Sequence, residues 1–177
     1  RSRLELPDMD FIDLDFVFRK SKRIVLIVHG LEGSSSSKYV LSLAQSSISA
    51  GLDVLALNLR GCSGEPNRLY HSYYSGQTED LEFVIGYLVK MGYDEVYLTG
   101  FSLGGNQILK LLGSCDFNNS IVKAAVAVSV PCDLSGSAIQ LAKKENTVYL
   151  NRFLRSLKGK ILEKSERFPE LRLNPEE

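Results

Sequence analysis

Four apolar runs punctuate the chain, and each ends at a breaker. "IVLIVHG", "LDVLALNLRG", "EVYLTG" and "IVKAAVAVSVP" are rich in β-branched residues and continuous in their hydrophobicity. Such runs predict strands buried on both faces, as in a parallel sheet. Helical patterns lie between them. "SKYVLSLAQSSISAG" closes on Gly51, a residue suited to ending a helix. From Thr78 onward, Leu81, Val84, Ile85, Leu88 and Val89 recur at helical spacing. Thr78 is the expected cap, Glu79, Asp80 and Glu82 favour the first turn through the helix dipole, and Gly92 can end the helix. "LGGNQILKLLG" is the third helix. Strands alternating with helices predict βαβ crossovers and an α/β fold with a mainly parallel central sheet and flanking helices.

The two ends of the chain differ from this pattern. "LELPDMDFIDLDFVF" predicts a half-exposed hairpin turning at Pro7–Asp8, with Phe11, Asp13 and Asp15 alternating against Ile12, Leu14 and Phe16. Past Pro131 the sequence becomes charged and helical from Ser137 to Phe168, with one apolar stripe of Leu150, Phe153, Leu154, Leu157, Ile161 and Leu162. A stripe marks burial and not purpose. A helix packed on the sheet or on a partner and a lid over a site are both open readings. The expected division is a core over 1–132 and a helical segment over 133–177.

Charge narrows the partners. Lys plus Arg and Asp plus Glu each number 21 among 177 residues, so no net field favours nucleic acid or an anionic membrane. The apolar runs are too short to cross a bilayer, and "RSRLELPD" carries no signal-peptide pattern. Cys62, Cys115 and Cys132 lack C-x-x-C spacing, which points to reduced thiols in a cytoplasm-like compartment.

The candidate chemistry centres on Gly100-Phe101-Ser102-Leu103-Gly104. G-x-S-x-G between a strand and a helix is the setting of a nucleophile elbow: a sharp, strained turn that exposes the serine, with flanking glycines letting strand and helix approach. The alternative is an ordinary strand–helix turn whose serine caps the helix. An elbow serine also needs an oxyanion hole, with one amide from the following residue, Leu103, and one from the loop after an earlier central strand. "IVLIVHGLEGSSSS" offers that loop, and Leu31 is the natural second donor. It also reads as a generic strand–helix loop with a cap in the serine run.

Other chemistries fit poorly. Gly33 to Lys38 lacks the glycine a P-loop requires before its lysine, and no G-x-G-x-x-G follows a strand. His29 and His71 are the only histidines, which excludes a histidine-rich metal site. His29, at a strand end, reads as a loop organiser, and His71, in a tyrosine-rich loop, as exposed. Asp116 and Asp133 follow Ser102, but no histidine does, although the hydrolase triad runs Ser, Asp or Glu, then His along the chain. The acid–base pair that would activate Ser102 is absent from its expected place.

Taken together, "HGLEGSS", "NLRGCSGEPN", "YYSGQTEDL" and "GFSLGGN" resemble the α/β-hydrolase superfamily. Within it they are similar to the YheT-like hydrolases and the abhydrolase-domain lipid hydrolases. "RLELPDMDFIDLDF" resembles that subfamily's first hairpin. The resemblance implies a serine esterase or lipase-type acyl hydrolase with no cofactor, with Ser102 as nucleophile and Leu31 and Leu103 as oxyanion donors. It also implies that 133–177 begins a helical cap, and that the triad aspartate and histidine lie beyond residue 177, leaving the 177-residue piece inactive. Tyr74 stands where the subfamily has a histidine in its "YHSG" motif. A non-catalytic binding module of the same fold, self-associating through an open sheet edge, is the alternative reading.

Overall fold

The computed structural model describes residues 1–114 and 120–169. They form two compact units, Arg1–Cys132 and Asp133–Glu177. The first unit holds strands β1 (Ser2–Glu5), β2 (Phe11–Val17), β3 (Arg23–Val28), β4 (Asp53–Asn58), β5 (Glu95–Phe101) and β6 (Val122–Val128), with helices α1 (Lys38–Ser49), α2 (Glu79–Lys90) and α3 (Leu103–Gly113). The six strands make one sheet in the order β1-β2-β4-β3-β5-β6. From β4 to β6 all pairings are parallel, while β2 runs antiparallel to both β1 and β4.

Period-two side-chain alternation sorts the central strands into two cores. Ile24, Leu26, Val28, Leu55, Leu57, Val96 and Leu98 face one way, against Leu81, Val84, Ile85 and Leu88 of α2 and Ile108 and Leu111 of α3. Val25, Ile27, Val54 and Ala56 face the other way, against Val40 and the partly buried Leu43, Ala44 and Ile48 of α1. The four α2 side chains are at most 2% exposed; burying them contributes roughly 6–12 kcal/mol before entropy is counted. That burial holds α2 in place, because its cap does not: Thr78 makes no side-chain hydrogen bond to the first turn. Glu79 accepts from the Thr78 N–H instead, at 3.0 Å.

The opening hairpin is more buried than the sequence predicts. Phe11 and Asp13 are each 3% exposed, because β2 lies between β1 and β4 and because Arg3 covers both. The Arg3 guanidinium sits 3.6 Å from the Phe11 ring centroid and pairs with Asp13 at 2.9 Å.

The opposite edge is less buried than its composition suggests. Among the described residues β6 pairs on one side only, with β5, and Ala124 to Val126 are exposed. Beside it, on the α1 side of the sheet, lies a groove of about 370 Å³ walled by Val25, Leu43, Leu52, Tyr97, Ala124 and Val126.

The second unit holds α4 (Leu134–Leu141), a short 3-10 helix (Lys144–Asn146) and α5 (Thr147–Arg167). Helix begins three residues earlier than the periodicity predicts, because Asp133 caps α4 by accepting from the Gly136 N–H at 2.9 Å. Of the predicted stripe, Leu154, Ile161 and Leu162 are 39%, 49% and 61% exposed. Among the described residues no helix is long and apolar enough to cross a membrane, and Cys62 and Cys132 are free thiols.

Candidate active site around Ser102

Ser102 sits between β5 and α3 with φ 50° and ψ −117°. That conformation is rare for any residue with a Cβ and costs on the order of 1–3 kcal/mol. The Ser102 side chain makes no hydrogen bond to the first turn of α3, so the helix-cap reading of this serine fails. Its backbone is fixed at both ends. The Ser102 N–H donates to Val128 O of β6 at 2.8 Å, and its carbonyl accepts from Asn106 N–H at 3.0 Å, opening the helix.

Glycines make the turn tight enough to hold this shape. A Cβ on Gly104 would lie 2.4 Å from His29 O and 2.6 Å from Val28 O, and one on Gly100 would lie 2.6 Å from the Gly104 backbone. The start of α3 is thereby pressed directly on the end of β3. The loop leaving β3 runs past the serine, since a Cβ on Gly30 would lie 3.1 Å from Ser102 Cβ.

Most amides in that loop are committed. Gly30 N–H donates to the Tyr39 hydroxyl at 3.1 Å, Glu32 N–H to the Tyr73 hydroxyl at 2.8 Å, and Gly33 N–H to Gly30 O at 3.0 Å. Among the described residues the Leu31 N–H has no acceptor. Leu103 N–H, at the first position of α3, precedes the first helical hydrogen bond and is equally unengaged. The structure therefore brings the Gly30–Leu31 loop and the α3 N-terminus together beside Ser102.

His29 organises the loop. It is fully buried, and Leu59 N–H donates to its Nε2 at 3.1 Å. Nε2 must then be the acceptor nitrogen, so Nδ1 carries the proton and donates to Gly30 O at 2.7 Å. Both ring nitrogens are thus occupied by backbone. His71 is exposed and stacks on Tyr70, with centroids 4.7 Å apart. Asp133 is engaged as the α4 cap, and Asp116 lies outside the described residues.

The polar residues of "NLRGCSGEPN" and "SGQTEDL" serve as anchors. Arg60, 6% exposed, grips both Asp80 oxygens at 2.7 Å and also pairs with Asp8 at 2.5 Å and Asp10 at 3.3 Å. Asn67 donates to Asp10 at 2.6 Å and to His71 O at 2.7 Å. Burial alone would raise the Asp10 pKa, but the Asn67 amide and the backbone N–H groups of Arg68, Phe11 and Leu69 outweigh it and hold Asp10 below the usual carboxylate range. These contacts pin residues 59–78, which contain no regular element, to the hairpin and α2.

Sequence reasoning did not single out Glu32, Tyr39 or Tyr73. Glu32 has φ 54° without being glycine, and its partner Tyr73 stands 41 positions away. No local pattern marks such a pair.

The sequence pattern of the α/β hydrolase fold family matches residues 23–175; the chain belongs to that family. YheT of Escherichia coli, which bears an esterase name, is 37% identical over 94% of this chain and 50% of its own length. Human phospholipase ABHD3 is 28% identical over 82% of this chain and 37% of its own. Among solved structures, the esterase Pf2001 of Pyrococcus furiosus superposes with a TM-score of 0.68 at 19% identity, covering 80% of this chain and 55% of its own. The chain thus spans about half the length, or less, of the sequence relatives it matches.

Proposed function

We propose that the protein is a serine hydrolase cleaving carboxylic esters, short-chain or lipid-derived, through an acyl-enzyme on Ser102. The observation that carries this reading is the strained Ser102 backbone set beside two amides, Leu31 N–H and Leu103 N–H, that have no acceptor among the described residues. In this mechanism Ser102 Oγ attacks the ester carbonyl carbon and its proton passes to a base. The tetrahedral oxyanion is held by the two amides. Collapse expels the alcohol with a proton. Water then adds to the acyl-enzyme, and a second collapse releases the acid and restores the serine. An alcohol in place of water gives acyl transfer by the same steps, and one relative is named a fatty acid ethyl ester synthase/esterase. The names of other relatives, an esterase, a phospholipase and a monoacylglycerol lipase, support ester or lipid substrates.

His29 is excluded as the base because backbone groups occupy both of its nitrogens. The activating histidine and acid are assigned to sequence beyond Glu177, and residues 133–177 to the start of a helical cap segment. The test uses the full-length protein, a series of p-nitrophenyl esters of increasing chain length, and a fluorophosphonate label. Turnover and labelling should both vanish in Ser102→Ala. The 177-residue chain should turn over slower by several orders of magnitude, as removal of a triad base costs. Undiminished esterase activity in Ser102→Ala would overturn the assignment.

A further inference from the structure

We infer that Tyr73 is a positioning residue that sets the spacing between the two oxyanion donors; the inference rests on the esterase reading above. The geometry is reciprocal. The Tyr73 hydroxyl accepts from Glu32 N–H at 2.8 Å and donates to Glu32 Oε1 at 2.6 Å. One hydroxyl thereby holds both ends of a residue whose backbone is left-handed, φ 54°. Glu32 directly follows Leu31: the tie on the Glu32 N–H fixes the Leu31–Glu32 peptide unit, Gly33 N–H to Gly30 O closes the turn around it, and together they constrain the neighbouring Gly30–Leu31 unit that carries the Leu31 N–H.

The other side of the strut reaches α3. The residue after Tyr73 presents its carbonyl to Gln107 Nε2 at 2.9 Å, and Gly76 O accepts from Lys110 Nζ at 2.5 Å. Gln107 and Lys110 are α3 residues, and α3 begins at Leu103. The segment 73–76 therefore joins the loop carrying one amide to the helix carrying the other.

Tyr73 is suited to this work. It is 9% exposed and meets the His29 ring edge-on, with centroids 6.4 Å apart, so its ring has a fixed seat. Burial and the nearby Cys62 and Glu32 push its phenol well above the usual tyrosine range, which keeps the proton it gives to Glu32.

A strut acts on the transition state and not on ground-state binding, because the amides engage fully only when charge develops on the carbonyl oxygen. A displacement of about 1 Å at such a site costs on the order of 100-fold in rate. In the full-length protein, with active serines counted by fluorophosphonate titration, Tyr73→Phe and Glu32→Ala should each lower kcat by about 10- to 100-fold. KM should stay within about threefold, and affinity for a trifluoromethyl ketone should fall in proportion to kcat/KM. The double variant should be no worse than the worse single one, since both cut the same tie. Glu32→Gln, whose amide oxygen still accepts from the phenol, should recover most of the rate.

A Tyr73→Phe protein with kcat and ketone affinity within about twofold of the parent overturns the proposal, as does an additive double variant. Should Tyr73→Phe fail to fold, Glu32→Ala decides alone, and a parent-like kcat there overturns it. A parent without Ser102-dependent turnover overturns the esterase reading and this inference together; normal parental turnover with unaffected variants overturns only this one.

Discussion

Adding one methyl group at Gly104 should break the site through the backbone alone. The new Cβ would lie 2.4 Å from His29 O and 2.6 Å from Val28 O. Both neighbours are main-chain atoms of the central strand's end, so no side-chain rotation relieves the clash. Ordinary contact begins near 3.4 Å, so the start of α3 must move from β3 by about 1 Å, the difference between that contact and the 2.4 Å approach. Overpacking of this kind costs about 1–3 kcal/mol, or a Tm fall of about 2–12 °C. The same displacement carries Ser102 from the Gly30–Leu31 loop and should reduce turnover on the order of 100-fold. Gly86→Ala is the control. It sits inside α2 with nothing within 4 Å of an added Cβ, so it should gain about 0.5–1 kcal/mol from helix propensity and leave turnover unchanged. Urea unfolding and ester hydrolysis on the two variants provide the test. Gly104→Ala with stability within about 0.5 kcal/mol of the parent and normal turnover would refute the reasoning.

Three further outcomes follow from the same contacts. Ser102→Gly should be more stable than Ser102→Ala by about 1 kcal/mol in urea unfolding, because glycine accepts φ 50° without strain while alanine does not; both should be inactive. Arg60→Ala leaves Asp10 and Asp80 buried without their cation and should cost about 3–5 kcal/mol, read as a lower urea midpoint at unchanged slope. The depressed pKa of Asp10 means that its folded form holds the proton less tightly than the unfolded chain. Its contribution is therefore fully present above the unfolded value of about 3.9 and fades as pH falls through the lower folded value. Stability measured from pH 5 down to pH 2 should fall less steeply in Asp10→Asn than in the parent.

The sheet and its three helices were legible because their signals are local. Ile24 to Val28 are buried on both faces, as an unbroken β-branched run demands, and Gly51 and Gly92 end helices with φ of 76° and 84°, as their positions suggest. The Ser102 turn was visible for the same reason: strand, glycine, serine, glycine and helix follow one another directly. What local patterns cannot carry is pairing across distance. Phe11 and Asp13 read as half-exposed until Arg3 is seen lying over both. Thr78 reads as a cap until its helix is found to be held by packing. Asp10 meets Arg60 and Asn67 across 50 and 57 positions, and Glu32 meets Tyr73 across 41. Beside Ser102, the Glu32 N–H of the loop after β3 is held by such a distant partner, the Tyr73 hydroxyl.

The bare flank of β6 has a consequence for how the chain is made. On a ribosome, β3, β4 and β5 emerge before β6 and can already pair when it appears. Val122 to Val128 then joins as the newest strand, with Lys123 its one charge and its outer backbone groups unpaired among the described residues. A seven-residue run of valine and alanine with a single charged gatekeeper is what chaperones grip and aggregates recruit. The release of β6 therefore opens an interval in the biogenesis of this chain in which that edge is available for pairing with another strand.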